Sequence, residues 1–446
     1  MNGDGNMPEK IALISLGCAK NLINSEQMLY LLSEAGFVLT DDPAGADAAV
    51  VNTCGFIDSA KSEAIETILS LAALKAEGQL RALVVCGCLP ERYRAEMRAE
   101  LPEIDALVGV GSFGEIVRAV REALDGNKPE FFGDRNAPVD EFGRAVSTGP
   151  GWTYVKIAEG CDNRCAFCAI PFIRGRYRSR PMEKIVEECR GLAESGVREL
   201  ILVAQDITRY GTDLYGKRSL AALCRELAKI DGVEWIRLHY LYPDQFDDEL
   251  IEEIASEPKI VKYLDIPFQH IDDAILRRMY RRGSGADIRA LLKILRARIP
   301  ELVIRTSLIT GLPGEGEAEF SELCDWLREA RIERAGVFAF SPEEGTPAAE
   351  MTDRVEPEEA QRRAELVMEL QSEIMDDWCE RQIGKTLRVL VQGVDAESGL
   401  LWGRSWADSP EIDGRVLFSG EAEPGGFAEV KIAAVTEDGE LWGELQ

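Results

Sequence analysis

The 446-residue chain carries 51 Lys and Arg against 79 Asp and Glu, a formal net charge of -28, and 46% of its residues are hydrophobic. That apolar share supports ordinary buried cores and excludes a disordered chain, and at roughly 100 to 200 residues per domain the length implies about three domains. An isoelectric point near 4.6 excludes general nucleic-acid binding through a broad positive field, because neutralising phosphates needs clustered Lys and Arg in surplus.

The 11 cysteines are odd in number and show no framework of close, regular spacings, which argues for a reducing cytoplasm over a stapled secreted fold. The opening MNGDGNMPEK lacks the charged start, apolar run and cleavage site of a signal peptide. No stretch approaches the roughly 18 apolar residues of a membrane span. A soluble, cytoplasmic protein with no membrane partner is expected.

Short apolar runs at residues 11–16, 48–51, 82–85 and 106–110 alternate with helical periodicity at 25–35 and 59–74, which predicts a parallel sheet covered on both faces. Residues 127–151 are rich in Pro, Gly and charge, and a domain boundary is placed near 147. Six further strands are predicted at 153–157, 199–203, 235–241, 263–266, 303–309 and 336–340, with helices between them, as in a partial (β/α)6 TIM-like barrel. A long charged helix is expected over 358–382. From 383 onward short β runs with Gly-containing turns predict a small antiparallel β-barrel. The expected division is therefore 1–147, 148–382 and 383–446, in an α/β chain.

Cys161, Cys165 and Cys168 form C-x-x-x-C-x-x-C in GCDNRCAFCAIP, directly after a predicted strand. Closely spaced thiolates in a polar loop select iron-sulfur centres or zinc. A structural zinc site wants a fourth Cys or His, and the two histidines, His239 and His270, lie on other strands. Three ligands on a 4Fe-4S cluster leave one iron open for a substrate or cofactor. A second set, Cys18, Cys54 and Cys88, follows the first three predicted strands in SLGCAKN, VNTCGFI and CGCLPERY. The carboxyl ends of parallel strands share one edge, so these thiolates can converge on a second cluster. Cys86 lies inside its strand and reads as packing, as do Cys189, Cys224, Cys324 and Cys379 in helical segments.

The loop around Cys161, with Phe167 before its last cysteine, resembles the radical S-adenosylmethionine signature. In that family the open iron chelates S-adenosylmethionine, whose cleavage yields a 5'-deoxyadenosyl radical. Over essentially the whole chain, the three-Cys α/β domain, the radical domain with its trailing helix and a terminal barrel like a TRAM domain resemble the methylthiotransferase family. The resemblance implies two 4Fe-4S clusters, one handling sulfur, S-adenosylmethionine as cofactor, and an electron donor such as flavodoxin or ferredoxin.

Two branches of that family act on different substrates, one on a transfer-RNA adenosine and the other on the β-carbon of an aspartate in ribosomal protein S-twelve. ISLGCAKNLINSEQML and RSWADSPEIDG resemble the ribosomal-protein branch, with Ser409-Pro410 where Ala-Pro is usual. Charge points the same way: residues 383–446 hold five Lys and Arg against twelve Asp and Glu, a balance that repels phosphate and complements a basic partner. The alternatives are a transfer-RNA methylthiotransferase and a non-enzymatic iron-sulfur redox protein, the latter having no use for a six-unit barrel.

Strand ends of the barrel place Gln205 and Asp206, His239 and Tyr240, Gln269 and His270, and Gly311 and Gly314 of TGLPGE at the expected mouth. With Phe167, the residues Gln205, Asp206, Gln269, His270, Gly311 and Gly314 are the candidates for holding the cofactor. The stretch RGRYRSR, with Arg174, Arg176, Arg178 and Arg180, reads either as a solvated edge or as a contact for carboxylates of cofactor or substrate. No side chain is expected to act as a conventional acid or base.

Overall fold

The computed structural model describes residues 8–446, so the opening MNGDGNM, read above for a leader pattern, lies outside the described residues. The chain divides into two units. One comprises Met1–Ser147, Glu159–Arg178 and Glu343–Thr346, and the other takes Thr148–Ala158, Ser179–Pro342 and Pro347–Gln446.

In the first unit the apolar runs become β1 (Lys10–Ser15), β3 (Ala48–Thr53), β4 (Ala82–Gly87) and β5 (Ala106–Val108), joined by two short strands, β2 (Val38–Thr40) and β6 (Glu130–Phe131). All pair in parallel in the order β2-β1-β3-β4-β5-β6. β3 and β4 are buried at every residue, as continuous apolar runs require when helices cover both faces. One face packs on α1 (Ala19–Glu34) and α4 (Ile116–Leu124) through Met28, Leu32, Ile116 and Val120, and the other packs on α2 (Asp58–Ala76) and α3 (Cys88–Glu100) through Ile68, Leu71 and Met97. Because β1 lies between β2 and β3, the chain reverses its direction of winding there, and in open α/β sheets such a switch point opens a crevice at the carboxyl strand ends.

Two distant segments belong to this unit by packing. Ala169, which caps α5 (Ile170–Arg174), and Ile173 within that helix bury against Cys88. The Glu343 carboxylate is enclosed by Lys61 at 3.0 Å, Arg92 at 3.0 Å and the Asp58 amide at 3.0 Å.

The second unit holds six parallel strands, β7 (Trp152–Lys156), β10 (Glu199–Val203), β11 (Trp235–Leu238), β12 (Ile260–Asp265), β13 (Val303–Thr310) and β14 (Arg334–Ala339), in the order β14-β13-β12-β11-β10-β7. Between β7 and β10 lie two short paired strands, β8 (Ala158–Glu159) and β9 (Arg178–Ser179). The sheet does not close, in keeping with the partial barrel expected. Helices α6 (Met182–Glu194) to α11 (Glu317–Ala330) connect its strands, and α12 (Pro357–Glu380) follows.

β15 (Thr386–Val394), β16 (Leu401–Arg404), β17 (Val416–Ser419), β18 (Phe427–Val435) and β19 (Leu441–Leu445) close a barrel in the order β15-β16-β17-β19-β18. Four of its pairs are antiparallel, but β17 and β19 pair in parallel, so the all-antiparallel expectation is corrected. The reason is topological: β19 returns by a hairpin from β18 and takes the place beside β17, leaving Gly420–Gly426 to cross over.

The connection from β16 to β17, residues 404–414, fills the inside of the six-stranded sheet. Glu199 of β10 receives Arg237 of β11 at 2.7 Å and Arg404 at 2.6 Å. Arg237 also donates to the Trp406 carbonyl at 2.7 Å. Tyr263 of β12 donates to Asp413 at 2.6 Å, and Arg334 of β14 meets Asp408 at 3.1 Å. Each buried charge of this plug, Arg404, Asp408 and Asp413, is therefore matched by an inward-facing strand residue, as burial demands.

Candidate functional site

Cys18 caps α1, Cys54 follows β3, and Cys88 opens α3 directly after β4. Since β1, β3 and β4 are neighbours, the three thiols share one sheet edge beside the switch point. Local geometry draws the turns together. Gly17, at φ +91°, approaches so closely that a Cβ there would stand 2.8 Å from the Cys54 Cβ and 3.3 Å from its sulfur. Asn21 Nδ2 ties the same two loops by donating to the Leu16 carbonyl at 2.9 Å and the Thr53 carbonyl at 3.0 Å.

The thiols sit within each other's fields. Burial, together with the neighbouring Cys88 and Cys18, pushes the Cys54 thiol up to about 11. Burial raises Cys88 as well, against the pull of Arg174. At Cys18, exposed at its turn, desolvation by the surrounding protein is outweighed by the charges of Lys20 and Arg174, and the thiol is held below its ordinary value. Cys86 behaves differently: it is fully buried, its sulfur 3.5 Å from the Val51 carbonyl and 3.8 Å from Met28, inside the core.

Cys161, Cys165 and Cys168 are half-buried in a loop closed by Cys161 N–H donating to the Gly175 carbonyl at 3.1 Å and Cys168 N–H to the Cys165 carbonyl at 3.0 Å. All eleven cysteines are thiols, none in a disulfide. Among the described residues no three His, Cys, Asp or Glu side chains converge on the position of a single metal ion. A cuboidal iron-sulfur cluster makes a different demand, because each thiolate binds a separate iron at its own corner. Two sets of three thiols, one at a sheet edge and one in a tight loop, fit that donor requirement. Phe167 is half-buried in the same loop, and Phe172 beyond it is exposed.

The four arginines of RGRYRSR part company, which corrects the solvated-edge reading for two of them. Arg174 is buried and directed at Cys88, its Nε 3.3 Å and its Nη2 3.2 Å from the sulfur. Arg180 is buried against Glu188 at 2.7 Å. Arg176 is exposed, and Arg178 donates to the Arg176 carbonyl at 2.6 Å.

The strand-end residues of the second unit are held by their own neighbours. Asp206 is buried and accepts from the Thr208 amide at 3.1 Å, capping a short turn after β10, while Gln205 beside it is half-buried. Gln269 adopts φ +72° and bridges to β13, its amide 2.9 Å from the Ser307 carbonyl. His270 is buried, and its Nδ1 accepts from the Asp272 amide at 3.1 Å, which leaves Nε2 carrying the hydrogen toward Glu315 Oε2 at 3.5 Å. At that length the pair is an electrostatic contact and not a hydrogen bond. Glu315 also receives the Gly311 amide and Arg363 Nη1, each at 2.9 Å. Burial pushes its carboxyl up, yet His270, Gly311 and Arg363 hold it below the ordinary glutamate value.

Gly311, at φ +74°, has no room for a Cβ, which would lie 2.2 Å from that of Ala360 on α12, and Gly314 at φ +88° packs on Arg278. TGLPGE is thus a turn locked onto α12, with Glu315 at its hub. His239 bonds Ser409 of the plug at 2.9 Å, so it faces the interior connection and not a mouth, and Tyr240 beside it adopts φ +63°. Sequence reasoning singled out Arg174 but not its place beside Cys88, and it missed Asn21, Asn24 and Glu159 around that guanidinium. Their only signal was position, within and beside the two cysteine motifs.

Three family models match in succession: an uncharacterized protein family, UPF0004, over residues 10–109, the radical SAM superfamily over 155–327, and the TRAM domain over 383–445. Among curated proteins, the ribosomal protein uS12 methylthiotransferase RimO of Acetivibrio thermocellus is 47% identical, covering 98% of this chain and 99% of its own. The RimO of Pelotomaculum thermopropionicum is 49% identical over 96% of this chain and 97% of its own, and that of Geobacter sulfurreducens is 46% identical over 99% of both. Among solved structures, the radical S-adenosylmethionine methyltransferase TsrM of Kitasatospora setae aligns with a TM-score of 0.56 at 15% identity, over 88% of this chain and 80% of its own. That likeness is one of fold.

Proposed function

The chain belongs to the RimO family of ribosomal protein uS12 methylthiotransferases, sharing close to half its residues over nearly its full length, and from that premise we propose how its own residues serve the reaction. The substrate is ribosomal protein S-twelve, modified at the β-carbon of an aspartate. An unactivated C–H bond there yields to no ordinary general base, and correspondingly the two cysteine sets carry the chemistry while no acid-base pair is required. Cys161, Cys165 and Cys168 hold a 4Fe-4S cluster with an open iron for S-adenosylmethionine, which when bound supplies a carbon radical able to take that hydrogen. Cys18, Cys54 and Cys88 hold a second 4Fe-4S cluster that handles sulfur. The observation carrying this reading is the presence of both three-thiol sets in one structural unit, one at a switch-point edge and one in a loop packed on α3.

The remaining residues position and enclose. Phe167 borders the radical loop, and Gln205, Asp206, Gln269, His270, Gly311 and Gly314 shape the strand ends that receive the cofactor. Acidic surface on the terminal barrel suits a basic ribosomal protein. Asp408 and Asp413 turn inward against Arg334 and Arg305, and Arg404 turns inward against Glu199, so the outward excess of acid is reduced by only one charge. A flavodoxin or ferredoxin serves as electron donor, and the site of action is the cytoplasm. No helix among the described residues is long and apolar enough to cross a membrane.

The reading is tested by anaerobic reconstitution with iron and sulfide followed by turnover with S-adenosylmethionine, a reductant and ribosomal protein S-twelve. Two clusters and a methylthio product are expected. Replacing Cys18, Cys54 and Cys88 with Ala removes one cluster and the sulfur transfer, and unchanged cluster content after that replacement contradicts the second site. Methylthiolation of transfer RNA in place of S-twelve contradicts the choice of substrate.

A further inference from the structure

Arg174 lies six residues beyond Cys168, yet its guanidinium ends at the other cysteine set and is buried. All five of its N–H groups meet acceptors within the first unit. Nε and Nη2 bracket the Cys88 sulfur at 3.3 and 3.2 Å. The second hydrogen of Nη2 goes to Asn21 Oδ1, and Nη1 reaches Asn24 Oδ1 at 3.1 Å and Glu159 Oε2 at 3.2 Å. Asn21 and Asn24 stand three residues apart on one face of α1. The Asn21 side chain is itself oriented, because its Nδ2 is bound to the Leu16 and Thr53 carbonyls. The planar fork therefore has one fixed edge, and that edge faces a single sulfur.

An arginine buried only for stability would turn its paired N–H edge to a carboxylate. Here the one carboxylate, Glu159, takes a single contact on the far nitrogen, and the two-pronged edge is given to Cys88. A buried guanidinium is poorly compensated by a neutral sulfur and well compensated by a metal-bound thiolate, whose negative charge persists in the bound state. We propose that Arg174 is a positioning residue of the amino-terminal cysteine site, donating two hydrogen bonds to the ligating sulfur of Cys88 and so fixing that ligand and raising the reduction potential of the cluster it holds. Donors to ligand sulfurs favour the more negative, reduced form, and partners of this kind also orient the ligand. Because Arg174 rides on the helix that leaves the radical loop, the same short segment shapes both cysteine sites. The inference rests on the reading that Cys18, Cys54 and Cys88 hold a cluster.

The test uses the full chain with Cys161, Cys165 and Cys168 replaced by Ala, so that only the amino-terminal set can load. After anaerobic reconstitution with iron and sulfide, iron content and the midpoint potential are measured, the latter by a redox titration followed by electron paramagnetic resonance. R174Q is expected to shift the midpoint to more negative values, and R174K, which keeps the charge but not the fork, to shift it by less. Loss of iron in R174Q with circular dichroism and melting unchanged also supports the role, as loss of the ligand's anchor. Iron content and midpoint both equal to those of the parent overturn it. If R174Q does not fold, R174K is read alone: a midpoint displaced to more negative values supports the proposal, and one unchanged or displaced to more positive values overturns it. Further replacement of Cys18, Cys54 and Cys88 must abolish iron binding. Retention of the iron there overturns the site reading itself, and the arginine's role with it, a result distinct from an unchanged potential.

Discussion

Glu315 shows how much of the site depends on single buried carboxylates. It is 3% exposed and collects the Gly311 amide, Arg363 and the facing His270, joining the glycine turn after β13 to α12. Its carboxyl is held below the ordinary glutamate value of 4.5 despite burial. A depressed carboxyl contributes stability above its unfolded value and loses that contribution as pH falls through the folded one. Glu315→Gln is therefore expected to lower stability at neutral pH and to flatten the acid limb of a denaturation profile measured between pH 7 and 3. An acid limb with the wild-type slope would contradict this linkage. TGLPGE was legible in the sequence as a turn at a strand end, but the role of its last residue was not, since Arg363 lies 48 residues away. Arg174 was hidden likewise: the basic stretch could be seen, whereas its burial against Cys88 depends on tertiary packing.

Among elements, those buried on both faces were legible and those defined by their neighbours were not. β3, β4 and β10 are wholly buried and read as continuous apolar runs. β2 and β6 are two or three residues long and partly exposed, so neither leaves a periodic signal. β16 is four residues long and runs directly into RSWADSPEIDG, sharing Arg404 with it, so it leaves no separate signal. The structure gives that segment an internal task, because residues 404–414 supply the partners of Glu199, Arg237, His239, Tyr263 and Arg334 inside the sheet. Asp408→Ala would leave Arg334 buried without its carboxylate, and urea denaturation is expected to show a loss of about 3 kcal/mol. Glu397→Ala, on an exposed turn of the same barrel, is expected to stay within about 0.5 kcal/mol of wild type. Equal effects at the two positions would contradict the plug.

For the molecule as a whole, the division of the chain in space differs from its division in sequence. Residues 159–178 join the amino-terminal unit, because Ala169, Ile173 and Arg174 pack on Cys88, and no linear reading of composition reveals such a regrouping. The acidic character, by contrast, was fully legible, and it survives the burial of the plug's charges. Binding of S-twelve is therefore expected to weaken as salt is raised from 50 to 300 mM, through a slower association rate measurable by stopped flow. A salt-independent rate would show that the acidic barrel does not steer the substrate. The most direct measurement is mass spectrometry of ribosomal protein S-twelve from host cells lacking the gene, complemented with the wild-type chain or with Cys88→Ala. The methylthio group on the aspartate is expected to disappear on deletion and to return only with the wild-type chain. A group that persists after deletion, or that Cys88→Ala restores in full, would contradict that expectation.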